Sequence, residues 1–398
     1  MPVTFGGGYP GQTSLDVEKI LGEHFSRFAI RPRPVEKAPQ AGDHGARGWS
    51  VSMDSRERVL AAINHERPDR VPVDLWAEPG VWDRLRSDLG AATDEEVRKA
   101  LAVDIRYVYP AYPADTYSGG IRQNMWGERW AKTSTIFGLE WEHTKGALHD
   151  AQSLSELEAF PWPTCDQVDY SHLAEEIRRY EGYAIFYGNA DFFERPALVR
   201  GLENTLVDVM INQEWIDFLQ EKFVSFFIED FHRTMEATGG KIDVFWALTD
   251  LGTQEGLFMS KDVMARYIFK PLKKFADVAH REGVKLMFHS CGAVREVIPE
   301  LIECGVDILN PLQPAAKGMA PKGLKKDFGG ELAFHGGIDV QYLLPIERAA
   351  AVEREARRVS RILSENGGYI LCSSHNIQLD TPTGNIRAMY REDVRKPA

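Results

Sequence analysis

The chain reads as an α/β protein: a (β/α)8 TIM-type barrel with an N-terminal extension and a small inserted β segment. Three observations predict it. Short apolar runs alternate with amphipathic helical stretches over roughly 330 residues, the pattern of a parallel sheet with helical crossovers. Counted from Val71–Trp76, the apolar runs number eight, the count of a closed barrel. No glycine-rich turn follows Trp76, so an open doubly wound sheet is the weaker alternative.

The first 52 residues differ from the rest. Gly6-Gly7-Gly8-Tyr9-Pro10-Gly11 and Arg31-Pro32-Arg33-Pro34 bracket one short helix expected near Ser14–Phe28, and a Gly/Ala/Pro-rich stretch follows at 38–48. The glycine run is not a phosphate loop, because no strand precedes it and no Lys-Ser/Thr follows it. Residues 1–52 are therefore expected to form an extension and 53–398 the barrel. Asp54 with Glu57 three residues on is a capping box, and the helix it opens should run to about His65. Arg67-Pro68-Asp69-Arg70 ends that helix and leads into Val71–Trp76. The other strands are expected at Ile105–Tyr109, Tyr183–Tyr187, Val244–Leu248, Lys285–Phe288, Asp307–Leu309, Glu331–Phe334 and Tyr369–Leu371. Apolar residues at three- and four-residue spacing predict helices over 81–101, 171–181, 197–237, 260–282, 294–303 and 345–365. The segment 116–150, with Trp126, Trp130 and Trp141, reads as an antiparallel insertion.

Composition narrows the function classes. A net charge of −12 argues against a nucleic-acid or anionic-membrane surface. No apolar stretch reaches the length of a membrane span, and the N-terminus lacks a basic-then-apolar secretory pattern. Cys165, Cys291, Cys304 and Cys372 are too few for a disulfide framework in 398 residues, so a reducing cytoplasm is the expected setting.

Chemistry concentrates just past the strands. Lys285-Leu286-Met287-Phe288 runs into His289-Ser290-Cys291-Gly292, placing an imidazole and a thiol at a strand mouth, both ligand types that Zn2+ prefers. A second run, Tyr369-Ile370-Leu371, ends in Cys372-Ser373-Ser374-His375. These strands would be near neighbours around a barrel, which makes His289, Cys291, His375 and Cys372 candidate metal ligands. Strand periodicity alone does not decide between the last two. Cys165 and Cys304 have no such context and are assigned to packing or surface. Asp250 follows the apolar run Val244–Leu248, where a carboxylate is either paired or functional. His335 precedes Gly336-Gly337, where backbone turns tightly against a ligand. Asp250 and His335 are the candidate catalytic groups; Trp76, Asn189, Asp191, Gln254 and Asn310 are candidate substrate contacts. Phe192, Phe193, Trp76, Tyr112 and Tyr187 would wall a pocket for a flat substrate.

Together these residues resemble the uroporphyrinogen decarboxylase superfamily. The resemblance rests on Ser55-Arg56-Glu57-Arg58-Val59-Leu60-Ala61-Ala62-Ile63, Arg67-Pro68-Asp69-Arg70-Val71-Pro72, Phe288-His289-Ser290-Cys291-Gly292, Gly305-Val306-Asp307-Ile308-Leu309-Asn310-Pro311, Gly336-Gly337-Ile338-Asp339, His375-Asn376-Ile377-Gln378 and Thr381-Pro382. It covers about residues 53–393 and implies a (β/α)8 barrel with a deep cleft at the strand C-termini. Members that decarboxylate porphyrinogens carry an arginine-rich loop, where this chain has Val73-Asp74-Leu75-Trp76-Ala77-Glu78-Pro79, without arginine. The His-x-Cys is similar to the zinc-dependent branch, whose members move methyl groups between a corrinoid protein and a thiol or other acceptor. In that branch the third ligand is a later cysteine; aligning Thr381-Pro382 puts His375 there, a departure that leaves a His/Cys/His set. The chain lacks an Asp-x-His-x-x-Gly run, so the resemblance implies a corrinoid (cobalamin) supplied by a partner protein. A metal-independent decarboxylase is the alternative, followed by a non-enzymatic partner of a corrinoid or tetrapyrrole protein.

Overall fold

The Asp54 carboxylate accepts the Glu57 amide while the Glu57 carboxylate accepts the Asp54 amide, and the helix they open spans Ser55–Ile63. The computed structural model describes residues 52–135 and 138–396; the expected extension, with its helix near Ser14–Phe28, lies outside them. Eleven strands are described: β1 (Ile105–Tyr107), β2 (Thr116–Ser118), β3 (Ile121–Gln123), β4 (Arg129–Thr135), β5 (Gly138–His143), β6 (Ala184–Asp191), β7 (Val244–Leu248), β8 (Lys285–His289), β9 (Ile308–Leu312), β10 (Ala333–Ile338) and β11 (Tyr369–Ser373). β2 to β5 form the antiparallel insertion. The other seven form one curled parallel sheet in chain order, β1-β6-β7-β8-β9-β10-β11. This is a TIM-like α/β sheet of seven strands, not the regular eight-stranded barrel expected.

The missing strand is Val71–Trp76. It runs extended beside β11 but pairs only through isolated parallel bridges, Val73 with Leu371 and Ala77 with Ile377. On its other side the Asp104 amide donates to the Val73 carbonyl, 2.9 Å away. Pro72 has no N–H to give, so a continuous ladder cannot form through it. Helical periodicity also overran several breaks. The stretch 81–101 splits at Gly90, and 197–237 splits into Glu194–Arg200, Leu202–Ile211 and Gln213–Thr238. Short helices at Pro321–Phe328 and Thr383–Met389 were not foreseen, being too short to show a periodic signal. β6 and β10 run past their expected ends, which places Asn189, Asp191 and His335 inside strands.

Strand pleating organises the interior. The first inward layer is apolar: Ile105, Ala184, Phe186, Val244, Met287, Ile308, Ala333 and Ile370, plugged from the N-terminal end of the strands by Val59 and Ile63 of the first helix. Two residues further along each strand the same face is presented again. There stand Tyr107, Trp246, His289, Asn310, His335 and Cys372. Aromatic and polar side chains thus replace aliphatic ones in a single step toward the C-terminal ends.

Asp104 anchors the junction between the sheet's two edges. Its carboxylate has no exposure and accepts from Ser55 Oγ (2.7 Å), Arg58 Nη1 (2.8 Å), Arg70 Nη1 and Nη2 (2.7 Å each) and the Val73 amide (2.9 Å). Removing it would leave Arg58, itself buried, without one of its two carboxylates. Asp104→Ala is expected to cost about 3–5 kcal/mol, read as a lower midpoint in urea denaturation.

Candidate metal centre

His289 is the last residue of β8 and is nearly buried. Cys291, two residues on, stands where the chain leaves the sheet. Its amide donates to Asp250 Oδ1 at 2.8 Å, and the Gly292 amide donates to Gln313 Oε1 at 2.8 Å. Gly292 has φ +87, and a Cβ there would lie 2.2 Å from the Gly252 carbonyl oxygen, so the turn that presents the thiol requires glycine. His375 comes from the loop after β11, its ring centroid 6.1 Å from that of His289.

The three side chains converge: one donor atom from each of His289, Cys291 and His375 lies within 4.8 Å of the others. Cys291 Sγ is 3.6 Å from His289 Nε2. A tetrahedral zinc with ordinary Zn–S and Zn–N bonds requires an N···S edge of about 3.6 Å. The donor set and this spacing therefore fit zinc, which these three residues would hold. Burial pushes the His289 imidazolium down to about 4, so the ring is neutral at pH 7, the form that ligates. Burial and then the Asp250 carboxylate push the Cys291 thiol up. A bound cation would oppose that shift and favour the thiolate.

Behind His289 runs a file of hydrogen bonds. Its Nδ1 donates to Asn310 Oδ1 (2.5 Å), Asn310 Nδ2 donates to His335 Nδ1 (2.6 Å), and His335 Nε2 donates to Asp74 Oδ2 (3.0 Å). Tyr107 Oη also donates to Asp74 Oδ2 (2.7 Å) and accepts from Trp76 Nε1 (2.8 Å). Ending on a carboxylate orients every member: His335 carries its proton on Nε2, Asn310 turns its oxygen to His289, and His289 keeps its Nε2 lone pair for the cleft.

This geometry revises several expected roles. His335, expected as a catalytic group, is fully buried with both ring nitrogens engaged, one by Asn310 and the other by Asp74, and so joins His289 through Asn310 instead of opening onto the cleft. Asn310, expected as a substrate contact, is equally buried, with both ends of its amide taken by histidines. Cys372 falls in a different group, with Asp74 and His335, and burial raises its thiol strongly. It is a member of the inward layer, not of the His289–Cys291–His375 set, because pleating turns position 372 inward below the strand mouth. Tyr112 and Tyr187 do not wall the cleft: both donate to Asp230, as does Tyr170. Phe192 and Phe193 belong to the outer core. Cys165 and Cys304 are buried against the Phe226 and Phe269 carbonyls.

Other expected residues do reach the opening. Asp250, its side chain 47% exposed, lies 3.9 Å from His289 Nε2. Trp76 stacks on His289 with ring centroids 5.7 Å apart. Gln254 bonds Gln313 at 3.3 Å, and with Asp339, His375, Asn376 and Gln378 they line a cavity of about 240 Å³ beside the candidate ligands. Asn189 sits exposed at a bulge in β6 with φ +81, and Asp191 closes that strand, buried, its carboxyl pushed up to about 6 by burial. Tyr107, Trp246 and Asp74 were not foreseen as site residues. The alternation from Ile105 to Tyr107 and from Val244 to Trp246 carried the signal for the two aromatics.

Residues 200–394 match the family model of uroporphyrinogen decarboxylase (URO-D). Those residues, just under half of the chain, carry its similarity to the uroporphyrinogen decarboxylase superfamily. Among solved structures, a methyltransferase from Methanosarcina mazei superposes with a TM-score of 0.63 at 16% identity, covering 85% of this chain and 97% of that one. That likeness shows a shared fold. An IOLI protein with a binding zinc atom (TM-score 0.31, 12% identity, 60% of this chain and 82% of that one) and a D-tagatose 3-epimerase-like protein (0.32, 13%, 55% and 79%) are more distant and carry no argument. No curated protein matches the sequence. No described helix is long and apolar enough to cross a membrane.

Two outcomes follow from the geometry. Asn310→Ala, which frees the His289 ring, should weaken zinc binding by about 10–100-fold in chelator competition. The folded chain refuses a proton at His289 that the unfolded chain accepts below about 6.5, so stability is full above that pH and declines toward pH 4. Urea titrations of metal-free protein should show this decline, and His289→Asn should flatten it.

Proposed function

We propose that this protein is a cytoplasmic, zinc-dependent methyltransferase that moves a methyl group between a small molecule and a corrinoid carried on a separate protein. The observation that carries the reading is the His289–Cys291–His375 convergence, with a Cys291–His289 separation equal to a zinc-tetrahedron edge. The superfamily and the methyltransferase that shares the fold support it. So does the absence of arginine from Val73–Pro79, which leaves no clamp there for the many carboxylates of a porphyrinogen.

Zinc, held by His289, Cys291 and His375, would supply Lewis acidity toward a thiol or another substrate heteroatom. The chain's own residues do the rest. His289 and His375 offer neutral nitrogens and Cys291 a sulfur. Asn310 and His335 hold the His289 ring, while Asp250 holds the Cys291 backbone. Trp76 lies flat against His289 and keeps water from that face of the ligand. Gln254 and Asp339 line the adjoining cavity, where a small substrate is oriented by hydrogen bonds.

Purified protein should contain one zinc per chain and demethylate methylcobalamin in the presence of a thiol. Cys291→Ser and His375→Ala should each lose the metal and more than about 100-fold of transfer activity, whereas Cys372→Ala should keep full metal content. Protein that holds no metal, resists chelators and releases CO2 from a carboxylated substrate would replace this reading with the decarboxylase.

A further inference from the structure

Four aromatic side chains floor the opening at the C-terminal ends of the strands. Trp76, Tyr107 and Trp246 rest on the first inward apolar layer, and all three are partly exposed. Trp76 lies 5.6 Å from Trp246 and 6.2 Å from Tyr107, and Tyr107 lies 6.4 Å from Tyr109, ring centre to ring centre. Tyr109 is 38% exposed. Gly188 of β6 holds the floor close: a Cβ there would stand 2.1 Å from the Trp246 carbonyl oxygen and 2.6 Å from its ring. Both indoles also face His289, so the floor adjoins the candidate zinc ligands directly.

The charges around this floor are of one sign. Asp250 is half-exposed beside Cys291, and Glu194 acts electrostatically on the same thiol. Burial, then the charges of Asp191 and Asp250, push Glu194 up to about 7. The basic group these carboxylates feel is Arg195, which is already paired with Glu128 at 3.3 Å. In the adjoining cavity, beside His375, the polar groups are mainly neutral amides, Gln254, Gln313, Asn376 and Gln378, joined by the acid Asp339. A zinc ion bound by one thiolate would keep a single net positive charge, which the half-exposed Asp250 carboxylate alone could balance.

We infer that this cleft takes a cationic small molecule, one whose ammonium group, methylated or free, lies over Trp76 and Trp246 while its other end reaches the metal position. The inference rests on the proposed methyltransferase reading and names its substrate class. Aromatic faces attract an ammonium through their quadrupoles, and quaternary ammonium ions displace less tightly held water than a primary amine does. The carboxylates supply the counter-charge. A sulfonate or carboxylate in the same place would lose its hydration and gain no free arginine or lysine from the groups named above, so anionic substrates are disfavoured. A neutral ring would leave the desolvated acids without a partner.

Choline and its uncharged isostere 3,3-dimethylbutan-1-ol separate charge from shape. With zinc-loaded protein, titrated by tryptophan fluorescence and calorimetry, choline should bind about 10-fold more tightly than the isostere, and 2-mercaptoethanesulfonate should not displace it. Trp76→Leu should weaken choline by about 10-fold, and Glu194→Gln should weaken choline while leaving the isostere unchanged. Equal binding of the two isosteres, or displacement by the sulfonate, overturns the inference. Zinc content and methylcobalamin demethylation measured on the same samples keep the two readings apart. A protein that holds zinc and transfers methyl groups yet ignores choline loses only the substrate class. One that binds choline but holds no zinc loses the methyltransferase.

Discussion

The buried file Tyr107–Asp74–His335–Asn310–His289 is the constraint on which the rest of this molecule turns. It links five separate stretches of chain: the extended segment after Pro72, β1, and the neighbouring strands β8, β9 and β10. Every member is buried or partly buried, and every bond needs the next to have its proton on the right atom. Such a network stabilises only when complete, because a single unmatched donor in a dry interior costs about as much as several good bonds return. Its carboxylate terminus supplies the direction. From Asp74 outward the protons are fixed in order, and the last consequence is a lone pair on His289 Nε2 aimed at Cys291.

The same file explains why chemistry gathers at one depth. Parallel strands in register repeat their inward face every second residue. The first repeat carries Met287, Ile308 and Ala333, and the second carries His289, Asn310 and His335. One layer makes a hydrophobic core and the next makes a polar one, with no intervening space. Cys372, in the second layer, is held in that interior. Residues just above it, Cys291 and His375, belong to turns and loops and reach the opening.

Electrostatics at the opening run against the usual economy of a buried surface. Asp191 and Glu194 lie where burial penalises charge, Asp250 stands half-exposed by His289, and Arg195 is already committed to Glu128. The strand bearing Asp191 bends at the Asn189 bulge, which aims that end of β6 toward its neighbour. Concentrated negative charge beside two indoles and a set of soft donors is a coherent arrangement for holding cations, the metal first among them.

Much of this was legible in the chain itself. The capping box at Asp54, the parallel alternation, the antiparallel insertion and the pairing of His289 with Cys291 are local patterns, set by one to six neighbouring residues, and each is present in the fold. The likeness of His375 to the third ligand came from its motif, and the fold brings its ring to His289. Three-dimensional packing decided the remainder. Whether Val71–Trp76 could complete an eighth strand depended on a proline meeting an edge formed 300 residues later in the sequence (about that span, from Pro72 to Leu371). The burial of His335 and Asn310, and with it their change from expected chemistry to positioning, depended on which side chains occupy the layer across the sheet. Sequence fixes spacing along one strand; accessibility and proton direction are properties of several strands at once, and they exist only after those strands have met.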